Sequence, residues 1–328
     1  MNEKSLKVLE QYELEVKNVR RGRDSYIVDT DRGLVLLKEY NGSNQRAAWI
    51  EQVCRKVREG GMRAELPIAN REGSFVSSDR DSQRYLVKLW TQGREIDSRN
   101  PQEVLSGVRN LAQLHGILTG FPQENAVFLP SPVQSDEKRM RELGRIHRYV
   151  KGKKRKNEFE LYFLSEYGYF RELCTKAQER AMSESAQREW EKSARKGAVC
   201  HGDYNQHNIL RQDGRITAVH FENAAIGSQM TDLYCFMRKM LEKNNWNISF
   251  AENMLNAYME LQPLTAGQLE QLYIHFEFSE KFWKIANHYY NSKKTWIPDR
   301  SLQKLEKLAA LAPKQALFLE YFRSSYIS

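Results

Sequence analysis

The chain has 328 residues, 41% of them hydrophobic and 28% charged, with a formal net charge of +9. That composition belongs to an ordinary folded globular protein and excludes a disordered one. No apolar run approaches the roughly 20 residues that a membrane span requires, and the charged opening "MNEKSLKVLEQYELEV" has neither a signal-peptide h-region nor a lipidation motif.

The expected setting is therefore soluble and cytoplasmic, with no membrane partner. Cys54, Cys174, Cys200 and Cys235 stand far apart without a CxxC pair, against a zinc site or a disulfide framework and consistent with a reducing interior.

The first ninety residues read as strands around one helix. "ELEVKNVRRG", "DSYIVDT" and "GLVLLKEY" are short β-prone runs punctuated by Gly22, Asp31 and Gly33, residues that suit turns between antiparallel strands. "SNQRAAWIEQVCRKVREGG" opens on Ser43, keeps apolar residues at helical spacing and ends at Gly60-Gly61, which predicts a capped helix. "SFVSS" and "RYLVKLW" add two strands, and a helix begins at Pro101 behind an Asn100 cap.

From there the chain is mainly helical, except for "GAVCHGDYNQHNILRQDGRITAVHFENA". This segment reads as a loop, a strand, a "QDG" turn and a second strand. Later helices are expected over "TDLYCFMRKMLEKN", "SFAENMLNAYMEL", "TAGQLEQLYIHFEFSEKFWKIANHYYNS" and "SLQKLEKLAALAPKQALFLEYFRSS", with the aromatics of 276–290 packing a core. The expected class is α+β: a small β-rich N-terminal lobe over residues 1–92 and a larger helical lobe over 93–328 that carries the loop 199–222.

The chemistry is concentrated in "CHGDYNQHNIL" (200–210). Phosphoryl transfer needs an acid to orient the acceptor hydroxyl, oxygen ligands for Mg²⁺ and a cation on the phosphates. Asp203 fits the first task, and the amide oxygen of Asn208 fits part of the second. Lys38, on the strand "LVLLKEY", can face inward by period-two alternation, and Glu51 on the following helix can pair with it. Taken singly, Lys38 reads equally as an edge-strand charge, Glu51 as part of a solvated helix face, and Asp203 with Asn208 as an Asx turn.

Together these residues resemble the protein-kinase-like superfamily in its aminoglycoside phosphotransferase and choline kinase branch, whose loop H-G-D-x-x-x-x-N is matched by "HGDYNQHN". Within that branch the chain resembles the CotS family of spore-coat-associated proteins. The opening "RRGRDSYIVDTDRGLVLLKEY" and the helix-leading "TDLYCFMRK" add to the likeness. The resemblance implies ATP and Mg²⁺ as cofactors, Lys38 on the phosphates, Glu51 as its ion-pair partner, Asp203 as the catalytic acid and Asn208 as a metal ligand. It also implies structural roles for His201 and Asp232, an adenine-binding hinge at "WTQGRE", and other spore coat proteins as partners. "VRRGRDSYIV" holds one glycine, so its Arg20, Arg21 and Arg23 stand where a phosphate loop would be, as phosphate contacts or as a solvated basic turn.

One position departs from the pattern. Active members end the following strand in a metal-binding Asp, usually before Phe; here "AVHFENA" carries His220 before Phe221. Imidazole is a poor ligand for Mg²⁺. A continuing strand would point Glu222 to the same face, but an acid there is common in the resembled family.

The expected function is a kinase-like spore-coat-associated protein impaired as a catalyst, a pseudokinase. The alternative is an active ATP-dependent phosphotransferase on a small hydroxyl- or amine-bearing molecule. The positive charge suits a nucleotide, an acidic protein surface or nucleic acid. The basic run "HRYVKGKKRKN" (147–157) reads as a solvated loop or helix start rather than a nucleic-acid patch, because it lacks interleaved aromatics for base stacking.

Overall fold

A computed structural model describes residues 3–23, 25–124, 126–291 and 298–327. The chain divides into two compact units, one of Met1–Phe128 with Lys196–Ile226, the other of Leu129–Arg195 with Gly227–Ser328. The segment 196–226, with the "HGDYNQHN" loop, thus groups with the sheet rather than with the later helices.

In the first unit, β1 (Val16–Gly22), β2 (Ser25–Thr30) and β3 (Gly33–Glu39) form an antiparallel meander. Helix α1 (Asn44–Glu59) follows, then β4 (Leu66–Pro67), β5 (Val76–Ser78) and β6 (Arg84–Leu89). β6 pairs with β3 in a register that sets Lys38 opposite Leu86, and β4 and β5 also pair with β6. Ser43 caps α1 through the N–H of Arg46, and Gly60 closes it, as the sequence signals predict. Val28, Val35, Leu37, Tyr85 and Val87 form the sheet's core with Val8 and Leu9 from a 3₁₀ helix over Glu3–Gln11.

The two-residue strand β7 (Arg94–Glu95) leads to α2 (Pro101–Ile117), capped by Asn100 through the N–H groups of Gln102 and Glu103. After β8 (Val199–Cys200) and the loop, β9 (Ile209–Gln212) and β10 (Arg215–Ala218) form the expected hairpin, with β7 on the outer edge of β9. β11 (Ala225–Ile226) returns to pair with β8.

The second unit is helical: α3 (Pro132–Gly152), α4 (Glu158–Ala181), α5 (Glu184–Arg195), α6 (Met230–Lys243), α7 (Ile248–Met259), α8 (Ala266–Glu277), α9 (Glu280–Asn291) and α10 (Pro298–Tyr326). The one helix expected across 265–292 is two. α8 ends at a Phe278 cap with extended backbone (φ −71°, ψ 116°), and the chain re-enters a helix at Glu280. The break lets Phe276 join Phe318 and Phe322 while Phe282 stacks on Phe163 and Phe170. The aromatics of 276–290 do pack the core, with Phe276, Phe278 and Phe282 buried.

None of the four cysteines is in a disulfide. Among the described residues, no helix is long and apolar enough to cross a membrane.

Phe163 is fully buried, and its ring centroid lies 5.2 Å from that of Phe282. Phe163→Ala is expected to lower unfolding free energy by about 3–5 kcal/mol, because the cavity forfeits these contacts. Urea denaturation measures it, and a loss below about 1 kcal/mol would show that α3, α4, α9 and α10 do not share one core.

Candidate functional site

The first unit holds a cleft of about 460 Å³ lined by Gly22, Ile27, Leu36 and Lys38 on the sheet side and by Asp203, Asn208, His220 and Glu222 on the loop side. Its size suits a small-molecule ligand. Trp90, Gly93 and Glu95, from the expected hinge "WTQGRE", also line it, as does Arg23. Arg20 and Arg21 are exposed and do not line it.

Asp203 is held from both sides. Asn205 Nδ2 donates to one of its carboxylate oxygens and Asn208 Nδ2 to the other, each at 2.9 Å. The same two amides also donate to the Asp203 carbonyl, at 2.9 and 2.8 Å. Behind the loop, the buried His201 accepts the Asp203 N–H at Nδ1 (3.2 Å), which leaves its Nε2–H to donate to the Val219 carbonyl at 3.0 Å. Tyr204 anchors the loop on α2 by donating to the Gly107 carbonyl at 2.7 Å. Gly202 has φ +81°, and a Cβ there would lie 2.1 Å from the Asn223 carbonyl oxygen, so only glycine fits.

The strand expected to carry His220 and Glu222 stops at Ala218. His220 is left-handed (φ 69°, ψ 58°), and Phe221–Asn223 form one 3₁₀ turn. Strand alternation therefore does not govern these side chains. The turn still sets His220 Nδ1 3.7 Å from a carboxylate oxygen of Glu222.

That carboxylate is already committed. Lys88, fully buried on β6, donates to Glu222 at 2.6 Å and to the buried Glu65 at 2.7 Å. The same Glu65 oxygen accepts the N–H groups of His220 (2.8 Å) and Phe221 (3.2 Å). Lys38 adds a second ammonium 3.6 Å from Glu222. Burial alone would pull the Lys88 pKa down, but the charges of Glu222 and Glu65 outweigh it and hold it above the ordinary lysine value. Burial likewise pushes Glu222 up, and Lys88, His220 and Lys38 together hold it well below the usual carboxylate range.

The expected Lys38–Glu51 pair is not made. Glu51, buried on α1, pairs with Arg55 one turn along the same helix. Arg46 is the α1 side chain that meets the turn, donating to the Glu222 and Ala224 carbonyls with its guanidinium 4.8 Å from the centre of the Trp49 ring. Asp232 is buried in the first turn of α6, in the second unit. Of the residues singled out from sequence, the structure brings Arg23, Lys38, Asp203, Asn208, His220 and Glu222 into one cleft.

The two residues at the expected metal positions, Asn208 and His220, suit a Mg²⁺ ion poorly. Asn208 offers one neutral oxygen, and His220 offers nitrogen, the wrong donor for a hard cation. The Glu222 carboxylate lies beside two ammonium groups, Lys38 and the Lys88 that it shares with Glu65. Glu65, His220 and Glu222 do gather ligand atoms within 4.8 Å of one another, yet Lys88 already sits between the two carboxylates, and a divalent ion beside it would meet strong repulsion.

Sequence reasoning missed Lys88, Glu65, Arg46 and Asn205. The one available signal was a lone lysine in the otherwise apolar "YLVKL": a strand buried on both faces holds a charge only with a partner.

The sequence matches the family described as "Spore coat putative kinase YutH" over residues 5–322. The chain belongs to this family. It is 24% identical over 332 residues to spore coat protein S of Bacillus subtilis (strain 168), a match covering 95% of this chain and 90% of that protein. Among solved structures it is similar to an aminoglycoside phosphotransferase from Alicyclobacillus acidocaldarius, with TM-score 0.85, 18% identity and coverage of 98% of this chain and 96% of the other. It is also similar to spectinomycin phosphotransferase APH(9)-Ia, solved with ADP and spectinomycin, with TM-score 0.68, 10% identity and coverage of 95% and 97%. The amicoumacin kinase hAmiN, solved with AMP-PNP and Ca²⁺, matches at TM-score 0.60 and 13% identity over 98% and 94%. The fold is that of the kinase-like phosphotransferases, and the resemblance to spore-coat kinase-like proteins is borne out.

The pairing sets a pH dependence. Because the folded-state pKa of Glu222 lies below its ordinary value of 4.5, its contribution is complete above that value and fades as the pH falls towards the folded-state pKa. Wild type should exceed Glu222→Gln in urea midpoint at pH 7 by a margin that shrinks steadily on acidification below 4.5. A margin independent of pH would mean that Lys88 does not hold this carboxylate. Lys88→Met, which leaves two buried carboxylates without their cation, is expected to cost about 3–5 kcal/mol in the same assay.

Proposed function

We propose that this chain is a spore-coat-associated protein with a kinase-like fold in which Mg²⁺-dependent phosphoryl transfer is impaired, its cleft retaining the form of a nucleotide pocket. In this reading Lys38 faces the phosphates and "WTQGRE" the base. Asp203 and Asn208 keep the arrangement of a catalytic loop, Glu51 and Asp232 are structural, and other coat proteins are the partners. ATP is the expected nucleotide.

The observation that carries the reading is the 2.6 Å bond from Lys88 to Glu222. With His220 where the related kinase motif has its metal-binding Asp, Glu222 is the carboxylate nearest to taking over, and it is held by a buried lysine. Phosphoryl transfer depends on charge placed at the phosphates, and the group of Glu65, Glu222, Lys88 and Lys38 has no net negative charge of its own to offer a metal. The active-phosphotransferase reading draws on a different observation: Asp203, fixed by Asn205 and Asn208, faces the same cleft as Lys38.

Calorimetry with ATP and ADP, each with and without Mg²⁺, combined with an ADP-release assay, separates the two. Wild type is expected to show no Mg²⁺-dependent gain in ATP affinity and no turnover, and His220→Asp is expected to gain the Mg²⁺ dependence. Mg²⁺-dependent ADP release by wild type that disappears in Asp203→Asn would overturn the proposal.

A further inference from the structure

The chain carries 51 Lys and Arg against 42 Asp and Glu. Residues 138–156 alone hold ten basic residues and one acid, Glu142. The net charge of this short stretch therefore equals the +9 of the whole chain, and everything outside it is balanced.

The structure resolves the stretch as the last four turns of α3 and the connection to α4. The run 147–157 is six residues of helix end, then the connection to α4 and its Asn157 cap, so the expected loop and helix start hold for its second half. Lys138, Arg145, Arg148, Lys151, Lys154 and Arg155 are all exposed. At 100° per residue the four on the helix share one side of it. None of the six makes an ion pair within 4 Å among the described residues.

Several helices of the same unit pair cations with acids, although α10 also leaves Lys304, Lys307 and Lys314 without an ion pair among the described residues. Lys176 pairs with Glu172, Arg238 with Glu242 and Lys284 with Glu280, each one turn apart. Like charges spaced three or four residues apart repel by about 0.2–0.5 kcal/mol per pair. The helix dipole favours a cation only in the last turn, which accounts for Lys151 and not for Lys138, Arg145 or Arg148.

Repulsion is compounded from α4. Arg148 and Arg171 both bring an Nη1 within 4.0 Å of where a Cβ on Gly144 would be. His147, stacked on Tyr167 at 3.7 Å, is held below its ordinary pKa by burial and then by Lys151, Arg171 and Arg148. Like charge is thus concentrated on this face, and an anionic partner would relieve the repulsion.

We propose that the exposed face of α3 with the 153–156 connection is a docking surface for an acidic polypeptide. Arginines here can take carboxylates in bidentate pairs. Two features favour a polypeptide over other polyanions. The neighbouring aromatic rings are engaged internally: His147 lies on Tyr167, and Tyr149 carries Lys153 over its ring and meets Tyr290 edge to face. Only Tyr149 is left largely exposed, short of the succession of rings on which a single strand stacks its bases. The helix face also lacks the apolar stripe with which an interfacial helix enters a lipid surface.

The test is fluorescence anisotropy on the full chain at about 0.15 M salt, with a labelled glutamate-rich peptide, a single-stranded oligonucleotide and phosphatidylserine vesicles as probes. Wild type is expected to bind the peptide saturably. Arg145→Glu/Arg148→Glu/Lys151→Glu should weaken that binding at least ten-fold, and Arg145→Gln/Arg148→Gln/Lys151→Gln should weaken it by less. Lys304→Glu/Lys307→Glu/Lys314→Glu, an equal charge change at exposed positions of α10, should leave it within two-fold. All the substituted side chains are exposed, and circular dichroism checks that the fold is kept. No saturable peptide binding, equal loss in both charge-reversal triples, or tighter binding of the oligonucleotide or the vesicles than of the peptide would each overturn the proposal.

Discussion

A lysine with no solvent exposure is the constraint around which the cleft is organised. Moving an ammonium group out of water carries a penalty of several kcal/mol even after relaxation, so Lys88 can remain on β6 only while carboxylates meet it. Glu65 and Glu222 do so, and each comes from a segment that must be delivered to the same place. Glu65 arrives just ahead of β4 and also takes the amide hydrogens of His220 and Phe221. Sheet, β4 approach and the 220–223 turn are therefore interdependent, and Arg46 adds a tie from α1.

The same arrangement shapes what the cleft can do. A kinase places uncompensated carboxylate charge beside the phosphates so that a divalent ion will sit there. Here Glu222 answers Lys88 and Lys38, and Glu51, away from the cleft lining, answers Arg55, which leaves Asp203 as a cleft carboxylate held by amides alone. Asp203 keeps its amide supports, and Lys38 keeps its place at the cleft wall. The positioning elements and the ion pairs thus occupy one cleft, and the proposed loss of turnover rests on how the pairs are distributed there.

Much of this was legible in the sequence wherever the signal was local. The caps Ser43 and Asn100, the hairpin around "QDG" and the loop "HGDYNQHN" each declare themselves within a few residues, because turn and cap chemistry act over that range. The failures share a cause. The break at Phe278 has no glycine or proline to announce it and follows from where Phe276 and Phe282 must be buried. The end of β10 at Ala218 is imposed by Glu65, more than 150 residues earlier in the chain. The partners of Lys38 were misread because Glu51 and Glu222 are equally plausible by type, and only the packing decides between them.

The contact between Gly202 and Asn223 bears on how such sequences should be interpreted. In "HGD", the histidine bonds the backbone on either side of it and the glycine makes room for the turn that carries His220. Two of the three letters are thus requirements for folding, independent of any reaction. A chain that had abandoned phosphoryl transfer would still need both or lose its loop. The presence of the motif is accordingly a record of architecture, and evidence for turnover has to come from the side chains that face the cleft.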